Sequence, residues 1–199
     1  MLRYAWGFIA RPRRTSDRLA EDPRAAWIGL WWAMIFLGAY TLTVLIYYLL
    51  GHQPLARGFL TVSPEKWYLV QTFTTIPEGL AGFLSLGALA HLIARARGGT
   101  GSFEATFASQ VLANVVPCIL FMLVPELFLA PFFIAAGRTS LPWPQWVENL
   151  RIFILPLAWL YTLSVLALAR VQKIAWPKAL LIVPVACVPL GLLMAVFIR

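Results

Sequence analysis

Residues 25–50 read AAWIGLWWAMIFLGAYTLTVLIYYLL, twenty-six positions without one charged side chain. About 20 apolar residues suffice to cross the hydrocarbon core of a bilayer, so this stretch predicts a membrane-spanning helix. Before it, residues 1–24 carry six arginines, Arg3, Arg11, Arg13, Arg14, Arg18 and Arg24. Asp22 and Pro23 predict its start, with the carboxylate as N-cap and the proline at the first helical position.

The rest of the chain repeats the pattern. Of 199 residues 61% are hydrophobic and 12% charged, with nine tryptophans. An average soluble chain is roughly 25% charged, and so few charges cannot clothe a small soluble domain. Further spans are predicted over about 67–94, 107–137, 152–169 and 179–198, the first of these interrupted at Pro77-Glu78. Ser63-Pro64 repeats the helix-start device, and Ser102 with Glu104 caps the third helix. At ~1.5 Å per residue, 31 residues are too many for one straight span. Pro117, Pro125 and Pro131 predict that this third helix is kinked. Leu141 to Trp146, with two prolines and two tryptophans, predicts an interfacial loop.

The expected fold class is thus an all-α polytopic bundle of five transmembrane helices, residues 25–199, preceded by a basic interfacial segment, residues 1–24. Sixteen Lys and Arg oppose eight Asp and Glu, a net +8. Eleven of the sixteen fall in the N-terminal segment, around Gly98 and in 170–178, and five on the other side. That asymmetry predicts a cytoplasmic N-terminus and an external C-terminus in a bacterial inner membrane. It also argues against nucleic acid as the partner and for anionic lipid headgroups, contacted by Arg11, Arg13 and Arg14. Leu2, Ala5, Trp6 and Ile9 share a helical face suited to lying on the membrane. No signal peptide is expected, because a basic block stands where a cleavage site would be. Nor do the short loops leave room for a separate soluble domain.

No metal or cofactor is expected. Cys118 and Cys187 lie in apolar runs, and His52 and His91 fall in opposite loops or boundaries. His91 predicts a C-terminal cap of the second span. No nucleophile elbow, zinc-protease or aspartate-rich motif occurs, so the chain does not read as an enzyme.

Two carboxylates stand out, since a charged group at bilayer centre costs at least ~2.5–3.5 kcal/mol. Glu78 follows a polar stretch containing Gln71, Thr74 and Thr75, and Glu126 repeats its Pro-Glu step in the third span. One reading makes Glu78 and Glu126 line a shared cavity for an ion, proton or headgroup, which would suit a small transporter. The other makes Glu78 a packing residue and Glu126 an interfacial one.

Arg95, Arg97, Gly98, Gly99, Gly101 and Ser102 form a glycine-rich turn between two spans. It lacks the Lys-Ser/Thr of a phosphate-binding loop, and a tight turn explains its glycines. His91 to Phe107 and Ala113 to Pro117 resemble the signature turn of the Yip (Ypt/Rab-interacting protein) membrane family. Ile9-Ala10-Arg11-Pro12 and Glu21 to Ala25 resemble the lead-in of its short prokaryotic members. The resemblance implies a five-span, non-enzymatic protein that organises membranes or acts as an adaptor for lipids, another membrane protein or a second copy of itself. In eukaryotes it also implies vesicle trafficking and Rab contact. This chain lacks the Asp-Leu-Tyr-Gly-Pro and Gly-Tyr-Gly motifs of those members, so small GTPase contact is not carried over.

Overall fold

The computed structural model describes residues 1–54, 62–137 and 144–197, and every regular element among them is helical. Two short helices, α1 (Leu2–Ala10) and α2 (Pro12–Glu21), precede the long ones. These are α3 (Ala25–Leu49), α4 (Pro64–Ala96) and α5 (Phe103–Cys118), which continues through wider π-type turns at Ile119–Leu123 and Pro125–Leu129 into α6 (Ala130–Ala135). A short α7 (Gln145–Asn149) runs through another such turn into α8 (Leu155–Gln172), and α9 (Trp176–Phe197) ends the bundle.

Five helices are long and apolar enough to cross a membrane: Ala25–Leu49, Pro64–Ala96, Phe103–Ala135, Leu150–Gln172 and Trp176–Val196. The number is as the sequence predicts, with several bounds shifted. α4 starts at Pro64, directly after Ser63, and runs through Pro77 without a break. Its proline leaves one carbonyl without an i→i+4 donor, a cost that packing on both sides tolerates. The third span is irregular where Pro117, Pro125 and Pro131 fall, since each removes an N–H from the ladder and widens the turn.

α5 is the axis of the molecule. Every residue from Ala105 to Pro117 is buried, with α3, α4 and α8 packed around it. Close approach is achieved through glycine: a Cβ on Gly29 would lie 2.8 Å from the Ala108 Cα, and one on Gly87 3.0 Å from the Phe107 Cα. Small residues at such crossings let helix backbones gain van der Waals contact that lipid cannot supply. α9 packs on α4 and α8 and completes the bundle.

The N-terminal segment is more than a surface tether. Tyr4, Phe8 and Leu19 are buried in the main core, while Leu2 and Trp6 stay 77% and 69% exposed. The predicted apolar face is thus divided: Leu2 and Trp6 point outward, whereas Ala5 and Ile9 are half-buried against the core beside Tyr4 and Phe8. Asp22 differs from its expected N-cap role. The helix proper begins at Ala25, and the Asp22 carboxylate accepts from the Arg24 N–H (2.8 Å) and from the Tyr4 hydroxyl (2.6 Å). It therefore ties α1 to the start of α3. These two donors hold the Asp22 carboxyl below its ordinary value, with Tyr4 the larger cause and Arg24 and Arg3 adding charge.

Candidate functional site

α4 ends in a complete Schellman motif. Gly98 has φ +91°, its N–H bonds to the Arg95 carbonyl (3.1 Å), and the Gly99 N–H bonds to that of Ala94 (2.8 Å). The next glycines are fixed by what they touch. A Cβ on Gly99 would sit 2.5 Å from Gln172 Oε1, and one on Gly101 would collide with the Val171 carbonyl oxygen. The turn is thereby pressed onto the C-terminus of α8, and Ser102 caps α5 by accepting from the Ala105 N–H (3.2 Å).

Gln172, which no sequence motif singles out, is the clamp. Fully buried, it accepts from the Gly101 N–H (3.2 Å) and donates to Thr106 Oγ1 (2.6 Å), while its carbonyl receives the Thr100 N–H (3.0 Å). His91 is not a simple helix cap: its Nδ1 lies 3.0 Å from Gln172 Nε2, with the ring edge-on to Phe103. Deeper in α5, Gln110 Nε2 donates to the Ser164 carbonyl (3.1 Å) and Asn114 Nδ2 to Ser164 Oγ (3.3 Å). A polar stripe on an enclosed helix needs such partners, because an unsatisfied group in hydrocarbon costs far more than in water.

Three basic segments meet at this end of the bundle. Arg170 forms a two-pronged ion pair with Asp17 of α2 (2.9 and 2.7 Å), and Lys178 Nζ donates to the Arg97 carbonyl (3.0 Å). Arg11, Arg13, Arg14, Arg95 and Arg97 are all exposed here.

Glu126 belongs to the opposite end. Its carboxylate accepts from the Tyr47 hydroxyl (2.7 Å) and pairs with Arg151 Nη2 (3.0 Å). Arg151, 8% exposed, also donates to the Phe121 carbonyl (2.7 Å), a group in the widened turn at Ile119–Leu123. The helix irregularity and the ion pair therefore answer one another. Beside this pair His52 stacks on Tyr68, and the Tyr47 ring meets both edge-on. In the loop after α3, burial pushes the His52 imidazole below its ordinary value despite the opposing charge of Glu126. Arg151 lies one residue before the predicted span 152–169, yet its long side chain reaches inward.

Gln71, Thr74, Thr75 and Glu78 form one stripe along α4. Gln71 Nε2 donates to the Tyr40 hydroxyl (3.3 Å) and Thr75 Oγ1 to the Gln71 carbonyl (2.7 Å). Glu78 Oε2, Thr74 Oγ1 and Gln71 Oε1 are enclosed with no hydrogen-bond partner among the described residues. Tyr40 lies within electrostatic reach of both glutamates. Glu126, in contrast to Glu78, is held directly by Tyr47 and Arg151. No group of three metal-ligating side chains occurs among the described residues. Of the predicted aromatic loop, residues 141–143 lie outside those described, and Trp146 is 68% exposed.

The family model described as the Yip1 domain matches residues 6–198, nearly the whole chain. The chain belongs to the Yip1 family. No curated protein and no solved structure matches it. In this Yip1-family membrane protein Gly101 lies against the α8 backbone at Val171, and Gly99 against the side chain of Gln172 and the Ala94 carbonyl of α4.

Proposed function

We propose that this Yip1-family protein is a non-enzymatic organiser of the membrane, whose basic end contacts anionic lipid headgroups and presents the Gly98–Ser102 turn to partner proteins. The observation that carries this is the convergence of the three basic segments at one end, with Arg11, Arg13 and Arg14 exposed and outside every ion pair among the described residues. By the positive-inside rule this end faces the cytoplasm, in a bacterial inner membrane. Exposed cations near a bilayer surface each contribute about 1 kcal/mol of attraction to anionic lipid, an effect that salt screens. Spin-labelled lipids in reconstituted bilayers test it. The full chain is expected to restrict phosphatidylglycerol in preference to phosphatidylcholine, and a variant with Arg11, Arg13 and Arg14 all changed to Gln is expected to lose that preference and its salt dependence. Equal preference in both proteins would overturn the proposal.

A second reading, a small proton or ion pathway through Glu78, is favoured by the three enclosed and unpartnered polar atoms on α4. Glu126 enters it only as an auxiliary charge. Flux in proteoliposomes that disappears in Glu78→Gln, with the fold intact, supports this reading; absence of flux in the wild type removes it.

A further inference from the structure

A cleft of about 900 Å³ opens between α2, α8 and the start of α9, at the basic end of the bundle. We propose that it holds one anionic glycerophospholipid, the phosphate at its charged rim and an acyl chain along its floor. The inference rests on the lipid-contact reading above and gives that reading a site.

The cleft is graded in polarity. At the rim stand Arg13, Asp17, Arg170 and Lys173. Asp17 and Arg170 neutralise each other through their two-pronged pair, which leaves Arg13 and Lys173 as surplus positive charge with no partner among the described residues. Below the rim the floor turns apolar, with Leu166 and Leu180, and at its far end Tyr161 has its hydroxyl spent on the Leu180 carbonyl (2.8 Å). Trp176, 62% exposed, stands at the lip, where an amphipathic indole suits the headgroup level.

The dimensions agree with a lipid and not with a small anion. Tyr161 and Lys173 are twelve residues apart on α8, about 18 Å along the helix. One leaflet of hydrocarbon is about 15 Å deep, half of a ~30 Å core. A chain from one leaflet therefore fits lengthwise, whereas a free phosphate would use only the rim.

Lys173 carries a second signal. It ends α8 at φ +55°, with the Ile174 N–H bonded to the Ala169 carbonyl (3.1 Å) and its own N–H to that of Arg170 (3.3 Å). That is the same motif that ends α4, where glycine takes the left-handed position. A lysine there forgoes the residue best suited to the backbone and places an ammonium over the cleft.

Native mass spectrometry of the full chain released from detergent tests the site, with phosphatidylglycerol and phosphatidylcholine of matched chains, and inorganic phosphate, as probes. One phosphatidylglycerol is expected to be retained in preference to phosphatidylcholine. Lys173→Gln, at an exposed position, should reduce that preference about fivefold. Ala169 also lines the cleft, one turn before Lys173, so Ala169→Trp should obstruct it and lower retention of both lipids, whereas Lys66→Gln, at the other end, should change nothing. Retention indifferent to Lys173→Gln and Ala169→Trp overturns the cleft as the site, even where the arginine triple variant has lost its spin-label preference. Displacement of the lipid by millimolar inorganic phosphate, with no response to Ala169→Trp, overturns it in favour of a simple anion site. Absence of any spin-label preference overturns the broader lipid reading independently.

Discussion

At the basic end of the bundle the Gly98–Ser102 turn is clamped to α8 by the neutral amide of Gln172, whereas at the other end a charged pair, Glu126 with Arg151, braces a helix that its prolines have widened. Both ends face the same physical demand: backbone groups freed at a turn must find partners where water is scarce. Where glycine lets backbones touch, an amide that both donates and accepts is enough. Where proline removes donors and the ladder opens, the freed Phe121 carbonyl is taken up by a guanidinium, which then needs a carboxylate to neutralise it. The neutral clamp gives close, regular packing. The ionic brace tolerates irregular helix but leaves each partner dependent on the other.

That dependence sets the largest expected effect. Arg151→Met strips Glu126 of its cation, and stability in detergent should fall toward the lower end of the ~3–5 kcal/mol seen when one member of a buried pair is removed, because Glu126 keeps some exposure. Adding Glu126→Gln should recover much of the loss, read as the thermal unfolding midpoint. No recovery would show that the guanidinium acts through Phe121 alone. At the neutral end Gly101→Ala should cost about 1–3 kcal/mol, because the added methyl meets the Val171 carbonyl and not a pliable side chain. A neutral Gly101→Ala would mean that the turn is not pressed onto α8. Gln172→Leu should cost about 1–3 kcal/mol by orphaning the Gly101 N–H, and should increase hydrogen exchange at Gly101 while leaving the Glu126 end unchanged.

The smallest effect concerns acid. The Asp22 carboxyl is held below its ordinary value of 3.8, so what it contributes is present above that value and is lost as pH falls through the lowered one. Proteolysis within residues 1–24 should therefore quicken at strongly acidic pH. Tyr4→Phe, which removes the principal donor, should move the onset upward toward 3.8. An onset unmoved by Tyr4→Phe would show that α1 is anchored by Phe8 and Leu19 alone.

Hydropathy and proline placement made the five spans legible, because a bilayer imposes length and apolarity on each segment by itself. The Ser63-Pro64 and Ser102 starts and the Gly98 stop were legible for a related reason: a helix end is settled by its own few residues. The glycine turn was readable as a turn. The partner of Glu126 was not, since Arg151 lies 25 residues on in sequence, just outside the predicted span 152–169. Nor do Gln172, Gln110 and Asn114 belong to any local motif, and their partners in other elements lie 50 or more residues away in sequence.

What the sequence determined by itself is whatever depends on local composition: the membrane class, the number of spans, the irregular third span and the gathering of basic charge into three segments. What only the tertiary structure decided is which polar groups satisfy one another. The apolar stripes that drive helices into a membrane are interchangeable with lipid and specify no neighbour, whereas a hydrogen bond specifies a partner by distance and direction. Packing alone put Gln172 on Gly101, Arg151 on Glu126, and Arg13 and Lys173 around one cleft.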